Sequence, residues 1–271
     1  MRNVIVTGSR GFIGKSLSYK LERDGYNVLN IDDNYFNSLD WGKELLELLE
    51  SSKYDAVFHV GACSDTLETN VDYMMTRNYE STKIIMDWCL KNNKPMIYSS
   101  SAANYGVNNL YPANLYGWSK YVAEGYVISN GGIALRYFNV YGPGEENKGK
   151  MASVAYQMFQ KNKKDEKIFL FPKKPQRDFV YVKDVISANI HALLNYDKLR
   201  GSYYEVGSGE ARTFEDVLNN MEITFGYTSE DLIPNGYQFY TCSDKLKWMN
   251  GWESEWNLEK GILEYKKYLV G

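Results

Sequence analysis

The chain has 271 residues and carries 31 Lys+Arg against 34 Asp+Glu, a formal charge of −3. That length suits one large domain or two small ones, and the charge lacks the basic excess of a dedicated nucleic-acid binder. The 44% hydrophobic and 24% charged fractions exclude a disordered chain, and a core of this size needs no staples.

Asn3–Thr7 (NVIVT) is a short β-branched run that ends in glycines, the pattern of a buried strand. Ile13–Arg23 follows with Ile13, Leu17 and Leu21 on one helical face. Asn27–Ile31 reads as a strand, Trp41–Glu50 as a helix, Ala56–Val60 as a strand and Val71–Asn92 as a long helix. Pro95–Ser100, Tyr116–Ser129 and Gly132–Phe138 continue as strand, helix, strand. Such alternation, without hairpin turns, predicts a parallel sheet covered by helices on both faces. At Gly142-Pro143-Gly144 the rhythm breaks. A helix over Ala152–Lys161, a solvated basic loop to Lys167, and short strands at Ile168–Phe171, Asp178–Val182 and Tyr203–Gly207 are expected next. The fold class is α/β, a doubly wound parallel sheet of the Rossmann type with a smaller mixed C-terminal lobe. The division expected is a dinucleotide-binding domain over 1–142, to which 179–207 returns, and a substrate lobe made of 143–178 and 208–271.

Cys63, Cys89 and Cys242 are odd in number and widely spaced, which argues against a disulfide framework and for a reducing, cytoplasmic setting. With two histidines and no C-x-x-C, no metal site is expected, and no run of about 18 apolar residues exists to span a bilayer.

Gly8-Ser9-Arg10-Gly11-Phe12-Ile13-Gly14 lies between the first strand and the first helix. Glycines there let the backbone turn tightly and a pyrophosphate approach the main chain, while the helix N-terminus offers N–H groups to it. Asp32, at the end of the second strand, is placed to accept hydrogen bonds from an adenosine ribose. Asp32 and Asp33 favour NAD by repelling a 2′-phosphate; Arg10, with Lys43 a further candidate, favours NADP by holding one. Both cofactors stay open at this point.

Tyr116-Gly-Trp-Ser-Lys120 is Y-x-x-x-K, a weak pattern in a chain with 24 Tyr, and Tyr79…Lys83 repeats it. Context separates the two. Tyr116 opens a helix that follows the strand ending in Ser99-Ser100-Ser101, and ligands of doubly wound sheets sit beyond strand C-termini. Oxidising a carbinol requires its hydroxyl proton to leave with the hydride, and Tyr116 is the candidate base. Its ordinary pKa near 10 must fall, which the Lys120 ammonium and an oxidised nicotinamide ring favour. Ser101 would hydrogen-bond the substrate oxygen.

With these residues in hand, TGSRGFIG, FHVGA, YSSSA, YGWSK and RYFNVYGP resemble, in order and spacing, the successive motifs of the extended short-chain dehydrogenase/reductase family, the NAD-dependent epimerases and dehydratases. FHVGACSDT, NKGKMASVAY, RDFVYVKDV and GYQFYT resemble its heptose 6-epimerase branch in particular. The resemblance implies a nucleotide-sugar epimerase with bound NAD or NADP, or, failing that, a 4-epimerase or reductase on a UDP- or GDP-sugar; a non-catalytic NAD(P)-binding regulator is the remote alternative. Ser101, Tyr116 and Lys120 would be catalytic, with Lys148 as a second acid/base residue. Gly61, Ala62, Asn78 and Asn139 would lie along the cofactor with Phe12, Ile13, Tyr116 and Lys120. Ser64, Ser101, Asn139, Lys150, Gln157, Phe171, Arg177 and Tyr237 would meet the nucleotide-sugar. The family implies a homo-oligomer, at least a dimer, built on the 71–92 and 116–129 helices, with neither nucleic acid nor membrane as partner. The chain departs from the branch on the substrate side. Its 105–116 loop is short, Phe171–Arg177 gains Lys173 and Lys174, and Lys150 and Gln157 replace a serine and a histidine. Ala102-Ala103 stand where dehydratases carry Asp-Glu, which argues against water elimination. His59 in its apolar strand and His191 in a helix read as structural.

Overall fold

The structure, a computed structural model, describes residues 2–51, 53–107, 111–234 and 236–271. The shortened 105–116 loop therefore lies partly outside the described residues. The first half runs β1 (Asn3–Thr7), α1 (Phe12–Arg23), β2 (Asn27–Ile31), α2 (Trp41–Glu50), β3 (Ala56–His59), α3 (Val71–Met75), α4 (Ser81–Lys91), β4 (Met96–Ser101), α5 (Leu115–Ser129) and β5 (Ile133–Tyr137). The second half runs β6 (Asn139–Tyr141), α6 (Val154–Lys163), β7 (Phe169–Leu170), β8 (Gln176–Tyr181), α7 (Val182–Leu194), α8 (Tyr196–Leu199), β9 (Ser202–Val206), β10 (Ala211–Thr213), α9 (Phe214–Asn220), β11 (Gly226–Tyr227) and α10 (Leu258–Val270).

Six strands form one parallel sheet in the order β2-β1-β3-β4-β5-β9. This is the doubly wound α/β fold that the alternation predicts. Its strands are continuous apolar runs because both faces are covered. Val4, Val6, Phe58 and Leu135 pack under α1 and α7, whereas Ile5, Val57, Met96 and Ala134 pack under α2, α4 and α5. The strand order reverses between β1 and β3, which opens a crevice at their C-terminal ends.

β6, β8 and β10 form a second sheet, mixed in direction, and β7 with β11 a third. Around them Tyr141, Phe179, Tyr181, Leu218, Ile262 and Tyr265 make a separate core. Leu258, Ile262 and Tyr265 line one face of α10, which Asn257 caps by accepting from the Lys260 N–H.

One expectation needs correction. The long helix over 71–92 is two α-helical pieces joined by a π turn at Thr76–Glu80, an extra residue that turns Asn78 inward. The tail after Val206 is mixed as expected and includes α9 and α10, the latter amphipathic with the ordinary i, i+4, i+7 spacing.

Candidate active site

The crevice is a cleft of about 680 Å3 at the C-terminal ends of β1, β3 and β4. Its floor is the glycine loop. Gly8 sits at φ +65°, and a Cβ there would stand 2.5 Å from the Gly61 Cα. A Cβ at Gly14 would stand 2.2 Å from the Gly8 carbonyl oxygen. Any side chain at these two positions would push β1, β3 and α1 apart. No side chain caps the N-terminus of α1 at Gly11, so its first N–H groups remain available to an anion at the cleft. Asp32, at the end of β2, accepts from the Asn34 N–H and pairs with Arg10 at 2.6 Å. A close glycine cradle, an uncapped helix start and a carboxylate at the end of β2 fit a dinucleotide.

The β3 wall is held from behind. Thr7 Oγ1 accepts from the Gly61 N–H and lies 2.7 Å from His59 Nδ1, while His59 Nε2 lies 2.9 Å from Thr82 Oγ1. Thr82 spends its proton on the Asn78 carbonyl, so the imidazole donates from Nε2 and accepts at Nδ1. Burial, helped by the Lys120 charge, pushes the His59 pKa down to about 3, which keeps the ring neutral. Asn78 is buried behind this wall rather than in the cleft. Its amide accepts from the Cys63 N–H and donates to the Cys63 carbonyl and to Ser119, tying the loop after β3 to α5.

Ser101, Tyr116 and Lys120 line the same cleft. Asn114 caps α5 by accepting from the Gly117 N–H. Gly117 lets α5 rest against the turn after β4, since a Cβ there would stand 2.8 Å from the Ala103 carbonyl oxygen. That close approach brings Tyr116 against the Ser101 hydroxyl. Burial raises the phenol's pKa, and Ser101 offsets part of the rise. Lys120 is buried with its Nζ 4.4 Å from the centre of the Tyr98 ring. Burial lowers its pKa to about 7, against the pull of Glu124 one turn on. Lys148 enters from another wall, on the segment Glu146–Met151, with its Nζ 5.5 Å from the Phe12 ring centre. Burial lowers its pKa as well.

Of the remaining expected site residues, Gly8, Arg10, Gly11, Phe12, Ile13, Gly14, Asp32, Asp33, Gly61, Ala62, Ser64 and Asn139 all line the cleft. Phe171, Arg177 and Tyr237 form an adjoining cluster: the Tyr237 ring stands 5.3 Å from Phe171, and the Arg177 guanidinium 5.4 Å from Tyr237. Arg177 also lies over Phe214, which does line the cleft, at 5.7 Å. Lys150 is exposed, and Gln157 turns away, donating to the Lys150 and Ala152 carbonyls. The Lys161–Lys167 run is exposed. His191 contacts the Asn250 carbonyl at 3.0 Å. Sequence reasoning missed Phe36, Tyr73, Arg77, Met151 and Phe214 in the cleft lining. Arg77 lies 4.4 Å from the Phe36 ring centre and 4.5 Å from that of Tyr73. Met151 falls inside the NKGKMASVAY stretch and Arg77 beside Asn78; Phe36 and Phe214 lie in no motif quoted above.

The sequence model of the NAD dependent epimerase/dehydratase family matches residues 4–207. The chain belongs to that family. Among its relatives, the ADP-L-glycero-D-manno-heptose-6-epimerase of Brachyspira hyodysenteriae is 32% identical over 311 residues, covering 98% of this chain and 97% of the relative. The Pseudomonas aeruginosa (strain UCBPP-PA14) protein of the same name is 32% identical and covers 99% of both chains. The solved Helicobacter pylori ADP-L-glycero-D-manno-heptose-6-epimerase superposes with a TM-score of 0.86 at 25% identity, covering 100% of this chain and 96% of that one. Family membership accounts for the strand order and for the cleft at the β1–β3 reversal. Among the described residues no helix is long and apolar enough to cross a membrane.

Proposed function

We propose that this family member inverts one carbon of a nucleotide-diphosphate sugar of the ADP-heptose type by transient oxidation, with NAD held in the cleft. The observation that carries the reading is that two proton-transfer groups, Tyr116 and Lys148, face one cleft from different walls. Bound over the glycine loop, NAD would accept the hydride and return it to the opposite face of the same carbon. Asp32 would hold the adenosine ribose, and its pairing with Arg10, next to the Asp33 carboxylate, opposes a 2′-phosphate. Tyr116 and Lys120 lie one turn apart on α5, where the Lys120 ammonium would favour the Tyr116 phenolate. Tyr116 then takes the substrate proton in one orientation, with Ser101 donating to the same oxygen. Lys148 serves the turned-over orientation, and its lowered pKa suits a lysine that must accept a proton. Arg177 meets the diphosphate and Tyr237 the nucleoside; Ser64, Asn139 and Phe171 complete that side.

The oligomer belongs to this reading. On α5, Trp118, Tyr121 and Val122 are exposed, and a Cβ at Gly125 would meet nothing within 4 Å. A second copy packing on α4 and α5 explains a glycine at mid-helix, where it costs about 1 kcal/mol in isolation. Three free thiols, one of them lining the cleft, support a cytoplasmic location.

The test is incubation of the pure protein with ADP-, UDP- and GDP-sugars in D2O, followed by NMR. Inversion at one carbon without deuterium uptake there is the expected result. Stoichiometric consumption of NADH or NADPH would refute the epimerase reading.

A further inference from the structure

Lys148 rides on a segment that Gln157 anchors only at its far end, by donating to the Lys150 and Ala152 carbonyls. Gly149 sits at φ +54° and ψ −124° inside it, and a Cβ there would touch nothing within 4 Å, so packing does not hold this bend. Gly142 and Gly144, at the start of the loop, are also at positive φ. Such a loop samples many positions unless its ends are joined.

One side chain joins them. Glu145 is 0% exposed, and among the described residues no cation lies within ion-pairing distance of it. Its carboxylate accepts from the Gly142 N–H at 3.2 Å, the Ser153 hydroxyl at 2.8 Å and the Ser153 N–H at 2.5 Å. Ser153 is the N-cap of α6, accepting from the Tyr156 N–H. The carboxylate thus ties the exit of β6 to the start of α6, with Lys148 between them. An uncompensated buried carboxylate is costly, and satisfying it through backbone and hydroxyl donors is the arrangement that offsets the cost.

We propose that Glu145 is a positioning residue for Lys148: its buried carboxylate clasps the two ends of the 142–153 loop and so fixes the amine in the cleft. The inference rests on reading Lys148 as the second acid/base group. Glu145 is also the charge that acts on Lys148, favouring the ammonium against burial. The titratable groups facing the carboxylate are Lys148 in its own loop and Tyr265 of α10, which itself faces Glu146 and Tyr156 of α6.

The experiment compares Glu145→Gln, Ser153→Ala and Lys148→Ala, measuring inversion rate against pH, KM, retained NAD and Tm. Glu145→Gln should lose about 100-fold in kcat with little change in KM, the scale of a misplaced reacting group. In the direction where Lys148 accepts the proton, its acidic limb should move to lower pH, because the anion favouring the charged amine is gone. Ser153→Ala keeps the carboxylate and removes one strand of the clasp; kcat should fall about tenfold with the limb unmoved. NAD should be retained in both. Wild-type kcat in both variants, alongside an inactive Lys148→Ala, overturns the clasp alone. A Glu145→Gln loss matched by a drop in Tm with no movement of the limb reduces Glu145 to a structural residue. If Glu145→Gln does not fold, wild-type kcat in Ser153→Ala overturns the proposal. A fully active Lys148→Ala removes the acid/base reading beneath it.

Discussion

The two sides of the cleft are held together differently. The cofactor side is the end of a parallel sheet, secured by ladder hydrogen bonds and by apolar faces whose central residues are wholly buried. The other side, which the proposed function gives to the substrate, consists of short strands and loops gathered by carboxylates that collect donors. Asp178 accepts from the N–H groups of Ser208, Gly209 and Ser243 and from the hydroxyls of Ser208 and Ser243. Asp184 accepts from Ser254, Glu255 and Trp256. Glu145 does the same for the Lys148 loop. Sheet-end geometry tolerates little variation and suits a cofactor that remains bound through a redox-neutral cycle. The clasps fix these loops where no ladder of strand hydrogen bonds reaches them.

If the chemistry resides where the two sides meet, Tyr116→Phe removes the largest single contribution. Inversion should fall by about 1,000-fold with NAD still bound, measured by NMR on the purified variant. Retention of more than a tenth of the activity would place the base elsewhere. Asp178→Ala attacks the substrate side alone. Five hydrogen bonds lose their acceptor, and stability should fall by about 3 kcal/mol in denaturant unfolding. The folded fraction should still carry NAD; a variant that also sheds NAD would show that the two sides are not separable. Gly14→Val attacks the cofactor side. Its side chain would press on the Gly8 carbonyl, and NAD retention on dialysis should weaken by about tenfold or more. Equal retention would mean that the loop has room the geometry denies. The smallest effect is in pH. Burial lowers the Lys120 value to about 7, so the ammonium that favours the Tyr116 phenolate is lost above that pH and turnover should fall there by about tenfold per pH unit. Lys120→Met should abolish that limb. A limb that survives in Lys120→Met would assign it to another group.

Legibility followed the same division. The glycine loop, Asp32, Ser101, Tyr116 and Lys120 could be read because short-range patterns report them: a strand, a tight turn, an i, i+4 pair on a helix. The π turn was not readable, since one inserted residue leaves the hydrophobic spacing of 71–92 nearly unchanged while rotating Asn78 inward. Nothing linear marks Gly117, whose close contact is with the turn after β4. Tyr73 and Arg77 lie four residues apart on one helical stretch, but Phe36 reaches them from a distant segment, and nothing local links it to them. Lys150 and Gln157 fell in the right stretch of chain, yet one is exposed to solvent and the other turns back onto the main chain.

The order of strands and helices, the glycine cradle and the candidates Ser101, Tyr116 and Lys120 are thus legible in the sequence, because each depends on neighbours a few residues apart. Which wall each group occupies was decided by the tertiary structure, as were the neutral state of His59, the lowered Lys120 pKa and the clasp at Glu145. These depend on burial and on contacts between segments many residues apart, and a linear pattern does not record desolvation.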